Sequence, residues 1–141
     1  MDGDVVKKDF EVSNSKDFIP GKEIEIQAGY DGELTTVFKG IVVSMKISLD
    51  ERQGTVLEIT CQDKAILMTE ARKNAYYSKG KDSDIISSLI GNHKGPTSAV
   101  DNTTIEYKEL VQYDATDWDF MMIGADVNGL VTSVSHGKVS V

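Results

Sequence analysis

The sequence predicts an α+β protein, an antiparallel β-barrel-like portion followed by a small α/β domain with two helices. Three observations carry that expectation. Apolar side chains recur at every second position between Lys22 and Asp63, the period of half-buried strands. Beyond Thr69 two segments switch to the three- and four-residue spacing of amphipathic helices. A chain of 141 residues is also long enough to bury a core without disulfides or metals. The change of pattern near Thr69 places the expected boundary between residues 1–68 and 69–141.

In the first portion, Ile24, Ile26 and Ala28 alternate with Glu23, Glu25 and Gln27, a strand with one apolar face. Asp31-Gly32 is turn chemistry suited to positive φ and predicts a hairpin into "TTVFKGIVVSMKIS". Gly40 interrupts that second strand and predicts a bulge or bend. Ile41, Val43, Met45 and Ile47 are expected along one side. After the turn "LDERQG", "TVLEITCQD" puts Leu57, Ile59 and Cys61 inward, completing a three-stranded meander.

Past Asp63, "KAILMTEARKN" predicts a short helical turn and "AYYS" a short strand or extended link. "KDSDIISSLIGNHKG" predicts a helix of about three turns. In it Asp82 or Ser83 is the expected cap, Ile85, Ile86, Leu89 and Ile90 form the apolar stripe, and Gly95-Pro96 is the stop. "GPTSAVDNTT" is expected as a polar loop and "IEYKELVQY" as a strand whose alternation slips in phase. In "DATDWDFMMIGADVNG" Thr116 can cap the N–H of Asp119, and Asp117 and Asp119 suit the positive end of the helix dipole. Trp118, Met121, Met122 and Ala125 share one face, and Gly129 suits a left-handed C-terminal cap. "LVTSVSHGKVSV" closes as a hairpin turning at His136-Gly137.

Composition narrows the function classes. With 15 Lys+Arg against 23 Asp+Glu, the net charge of -8 repels phosphate backbones, which argues against nucleic acid as a partner. A single cysteine, Cys61, excludes an intrachain disulfide, and its inward phase reads as a small core residue. No apolar run approaches the ~20 residues of a membrane-spanning helix, and "DGDVVKKDFEV" lacks the form of a signal peptide. His93 and His136 read as solvated turn residues, one past a helix end and one in a hairpin turn. The pairs Asp82/Asp84 and Asp117/Asp119 are explained by capping and dipole. "DGDV" at residues 2–5 resembles the start of a calcium loop but lacks the glycine and the distant Glu that follow in one. No cofactor, metal or catalytic residue is assigned.

"FIPGKEIEIQAGYDGELTTVFKGIVVS" at residues 18–44, "ITCQDKAILM" and "DATDWDFMMIGADVNGLV" resemble, in that order, blocks of the VgrG family (Rhs element Vgr proteins) of type VI secretion spikes. Phage late control protein D and tail hub proteins share the same order. The resemblance covers the chain from about Phe10 onward. It implies a trimeric hub whose barrel domains form a tube, with a small α/β domain inserted. Implied partners are other copies of the chain, Hcp-like tube ring proteins and effectors. The implied location is the bacterial cytoplasm during assembly, followed by injection with the spike. The chain departs from the family in having fewer strands before the matching block, and no second barrel or needle repeat.

The expected function is therefore a non-enzymatic structural module. Its assembly residues are Gly21, Gly29, Tyr30 and Gly40 for strand geometry, and Asp117, Trp118, Phe120 and Gly129 for the second helix. A competing expectation is a carbohydrate- or peptidoglycan-binding domain stacking its ligand on Tyr76, Tyr77, Tyr107 and Trp118, which requires exposed rings. A peptidoglycan hydrolase ranks third, because no paired acid and base is visible.

Overall fold

The computed structural model describes residues 14–50 and 54–141. The "DGDV" segment, the start of the resemblance at Phe10 and the centre of the "LDERQG" turn lie outside the described residues. The chain divides into two compact units, Met1–Gln62 and Asp63–Val141. This division precedes the composition shift near Thr69, because Ala65 and Met68 of the intervening turn are buried in the second unit's core.

The first unit is a meander of β1 (Glu23–Tyr30), β2 (Glu33–Asp50) and β3 (Gly54–Gln62), in the order β1-β2-β3. Among the described residues it is an open antiparallel sheet and not a closed barrel. The β1–β2 turn has positive φ at both Asp31 and Gly32, which is how a two-residue hairpin matches the twist of its strands. Two register shifts interrupt the ladders, leaving Val37 unpaired against β1 and Val43 unpaired against β3. Gly40 itself lies in register with Ile24, so the bulge expected at the glycine occurs three residues to either side of it.

These shifts decide which residues share a face. The even-numbered run Phe38, Gly40 and Val42 passes the bulge at Val43 and comes into phase with Met45 and Ile47. One face thus collects Ile24, Ile26, Phe38, Val42, Met45 and Ile47, with Leu57, Ile59 and Cys61 opposite them. Ile41 pairs instead with Glu23 and Gln62 on the polar face, which corrects the expected line of Ile41, Val43, Met45 and Ile47. On that polar face Glu25 accepts hydrogen bonds from Thr36 Oγ1 (2.6 Å) and Gln27 Nε2 (3.0 Å) and pairs with Lys39 (3.1 Å).

The second unit opens with a 3-10 turn, Lys64–Thr69, capped by Asp63. Then follow β4 (Arg72–Lys81), α1 (Asp82–Gly91), β5 (Thr97–Ala99), β6 (Glu106–Thr116), α2 (Asp117–Val127), β7 (Ser133–Ser135) and β8 (Lys138–Ser140). β4 and β6 pair antiparallel, and β5-β8-β7 form a small mixed sheet in which β5 runs parallel to β8. The expected polar loop "GPTSAVDNTT" therefore contains a strand, made when Thr97 N–H reaches Gly137 O and Val141 N–H reaches Ala99 O. The ladder runs unbroken from Tyr107 to Gln112, where the sequence predicts a slip in phase. The irregularity in β6 comes later, a bulge at Tyr113–Asp114 against Lys73 and Ala75, where the Asn74 side chain accepts the Asp114 N–H (2.7 Å).

All four expected stripe residues of α1 are buried, and with Met68, Met121, Ala125 and Val139 they form the core. On α2, Met121 and Ala125 are fully buried, while Trp118 and Met122 are half-buried and pack against the core. Gly129 takes φ +67°, and the bonds Gly129 N–H to Asp126 O and Leu130 N–H to Ala125 O complete a Schellman cap.

Candidate functional site

Both strands of the β4–β6 ribbon run into their helices without a loop. The last strand residue, Lys81 or Thr116, stays extended and acts as the N-cap. Thr116 Oγ1 accepts the Asp119 N–H at 3.0 Å as expected. Lys81 makes no side-chain cap, so Asp82 and Ser83 do not cap α1. They lie inside its first turn and are buried. An aspartate therefore stands at the first position of each helix, out of water and in need of partners.

The partners come from the other half of the unit. Asn128, the C-cap of α2, donates to Asp82 Oδ2 at 2.6 Å and to Gly124 O at 2.8 Å. Asp117, 1% exposed, receives Lys73 Nζ (2.6 Å) and His93 Nε2 (2.7 Å) on Oδ2 and Gln112 Nε2 (3.0 Å) on Oδ1. His93 lies just past the C-cap of α1, Asn92. Each helix start is thus clamped to the end of the other helix, which fixes α1 and α2 as an antiparallel pair.

Burial raises the Asp117 carboxyl's pKa, but the hydrogen bonds from Lys73, Gln112 and His93 outweigh it and hold the group below its ordinary 3.8. The network extends to Tyr77, whose hydroxyl donates to Gln112 Oε1 at 3.0 Å and whose ring stacks on Phe120 at 5.7 Å between centroids. Burial first, then Asp117, raises the Tyr77 pKa, with Lys73 opposing.

This corrects the reading of His93 as a solvated turn residue: it is half-buried and its ring is fixed by a carboxylate. Its bond to Asp117 ties the residue that follows the α1 C-cap to the first residue of α2. His136 sits at φ +53° in the β7–β8 turn, exposed as expected. Asp63 supplies a third tie, accepting Ala65 N–H on Oδ1 (3.0 Å) and Gly137 N–H on Oδ2 (2.8 Å).

The eight residues expected to matter for assembly separate by unit. In the second, Asp117 is the centre of the clamp, Phe120 stacks on Tyr77, Trp118 packs beside the core and Gly129 ends α2. In the first, Gly21 donates its N–H to Val42 O at 2.8 Å, and Tyr30 is 91% exposed beside the hairpin turn. A Cβ on Gly29 would overlap the Glu33 backbone, and one on Gly40 would overlap the Gln62 carbonyl and the Phe38 ring. The four rings of the competing carbohydrate reading do not form an exposed platform. Tyr76 is 59% exposed, whereas Tyr77, Tyr107 and Trp118 are half-buried.

The apolar face of the first unit is the second candidate surface. Ile26 is 47% exposed, Met45 38% and Ile47 42%, and the far ends of the strands carry Leu34 and Leu49 at 65% and 83%. Among the described residues β1 and β3 are both edge strands. The sheet thus leaves an apolar face half exposed and two edges unpaired among the described residues.

The family model described as the Alg8 N-terminal domain matches residues 1–141. It is a different family from the spike proteins whose blocks the sequence resembles. No curated protein matches the chain. Among solved structures, the prophage MuSo2 43 kDa tail protein from Shewanella oneidensis superposes with a TM-score of 0.60 at 16% identity. The match covers 77% of this chain and 35% of the tail protein, so the chain spans about a third of that protein's length. At this identity the likeness is one of fold alone. No described helix is long and apolar enough to cross a membrane.

Proposed function

The chain belongs to the Alg8 N-terminal domain family; from its fold likeness to a phage tail protein and the blocks it shares with the spike family, we propose that it is a non-catalytic structural module of a phage-type contractile tail hub or a type VI spike of the VgrG kind. In this reading the first unit supplies sheet to a multi-chain tube and the second is a rigid body attached to it. Copies assemble as a trimer above Hcp-like tube rings, in the bacterial cytoplasm, before delivery with the spike. The carrying observation is the half-exposed apolar face of the open β1-β2-β3 sheet, in a chain with a tail protein's fold. The Asp117 carboxylate supports it from the other unit, since its three bonds go to holding the start of α2 against β4, β6 and the end of α1.

Assembly is testable on the isolated chain. Light scattering after size exclusion across a concentration series is expected to show mass rising above the monomer, with Ile47→Ser returning it to monomer. A monomer at every concentration would remove the reading's support.

A further inference from the structure

The groove between the two helices of the second unit is bounded by the clamp residues Asp82 and Gly124, but its apolar floor is used neither by the clamps nor by the tail-module reading. Ile86 and Leu89 of α1, Leu110 of β6 and Phe120, Ile123 and Val127 of α2 line an open cavity of about 70 Å³. That is roughly half the ~150 Å³ of an apolar cavity that accepts benzene, a size suited to one branched aliphatic side chain. Its lip is wet, with Ile123 58% and Val127 62% exposed. Such a recess gains from any apolar group that displaces its water.

Charge indicates the occupant. α1 and α2 together carry Asp82, Asp84, Asp117, Asp119 and Asp126 and no lysine or arginine. Asp82 and Asp117 are engaged in the clamps. Asp119 and Asp126 are exposed, and at four residues before and three after Ile123 they flank the groove's lip on the same side of α2. The basic side chains Lys79 and Lys108 gather with Glu106 around Tyr107, the residue at the strand end of the groove, and none of the three lines the groove itself. An apolar recess with an acidic lip is complementary to an aliphatic side chain between cationic neighbours.

We propose that this groove docks a segment of a protein partner presenting one aliphatic side chain flanked by lysines or arginines. The proposal stands on the second unit alone and is independent of the tail reading.

The test is a methyl NMR titration of the full chain with a short synthetic peptide carrying a single leucine between two pairs of lysines. Expected are shifts confined to Ile85, Ile86, Leu89, Ile123 and Val127, absent when the leucine is replaced by serine and absent when the lysines are replaced by glutamates. Ile123→Ser is expected to abolish binding with the melting temperature unchanged. The double variant Asp119→Asn, Asp126→Asn should weaken it roughly three- to tenfold at low salt. Equal shifts with the glutamate peptide, or none up to millimolar peptide, would overturn the proposal. Groove shifts that appear on concentrating the chain without peptide would also overturn it, by making the occupant a second copy.

Discussion

The two units place comparable strand and apolar content in opposite relations to water. In the second, Leu89, Ile90, Met121 and Val139 have no accessible surface, and the helix starts that would otherwise carry loose carboxylates are tied across the unit. In the first, two bulges bring the apolar residues of β2 onto one face, yet Met45, Ile47 and Ile26 stay more than a third exposed. A unit that closes its core internally can act as a rigid body. A sheet that gathers an apolar face and leaves it half wet gains stability when something covers it.

The largest effect expected is on the closed core. Met121→Ala should destabilise the second unit by about 2–5 kcal/mol, read by denaturant unfolding, because the removed atoms have no access to water and leave a cavity. If Ile47→Ala in the first unit cost as much, the contrast between the units would fail. Trp118→Ala should cost less than Met121→Ala, since the indole packs beside the core and not inside it.

Next comes the clamp. Asp117→Ala should cost about 1–3 kcal/mol, because Gln112 and His93 lose a buried acceptor while Lys73, 40% exposed, can return to water. Its pH signature is distinctive. A carboxyl whose folded pKa lies below its ordinary 3.8 adds stability that is complete above that value and is lost as pH falls through the lower, folded one. Acid unfolding of Asp117→Asn should therefore depend less steeply on pH below about 4 than that of the wild type. On the first unit Glu25, held at about 2 by Thr36, Gln27 and Lys39, has the same sign.

In the first unit the vulnerable point is backbone. Gly40→Ala should cost about 1–3 kcal/mol and disturb both ladders, since the added methyl meets the Gln62 carbonyl and Phe38. Circular dichroism and the β2 amide shifts would register the change. The smallest intrinsic effect, within about 0.5 kcal/mol, is expected for Ile47→Ser, whose consequence should appear in self-association instead.

Much of this was legible wherever the cause is local. Asp31-Gly32 and His136-Gly137 turn as their chemistry requires, the α1 stripe is buried in full, and Thr116 and Gly129 cap α2 at its two ends. The bulges at Val37 and Val43 carry no punctuation in the sequence, and Gly40, which does, answers to the close approach of Gln62. β5 is three residues long and exists through its pairing with β8, distant in sequence. His93 was misread because its partner lies 24 residues away on another element. Part of a signal for the clamp was nevertheless present: Asp-x-Asp before an apolar residue begins both helices, at 82–85 and 117–120. That repeat marks two strand-helix units with an acidic start, tied at the far helix end by an imidazole in one case and an amide in the other.

The most direct measurement is hydrogen exchange of the β1, β2 and β3 amides at low and high protein concentration. If the first unit is completed by other copies, protection of β1 and β3 should rise with concentration while α1 and α2 stay unchanged. Identical exchange in the two strands at every concentration would contradict the account.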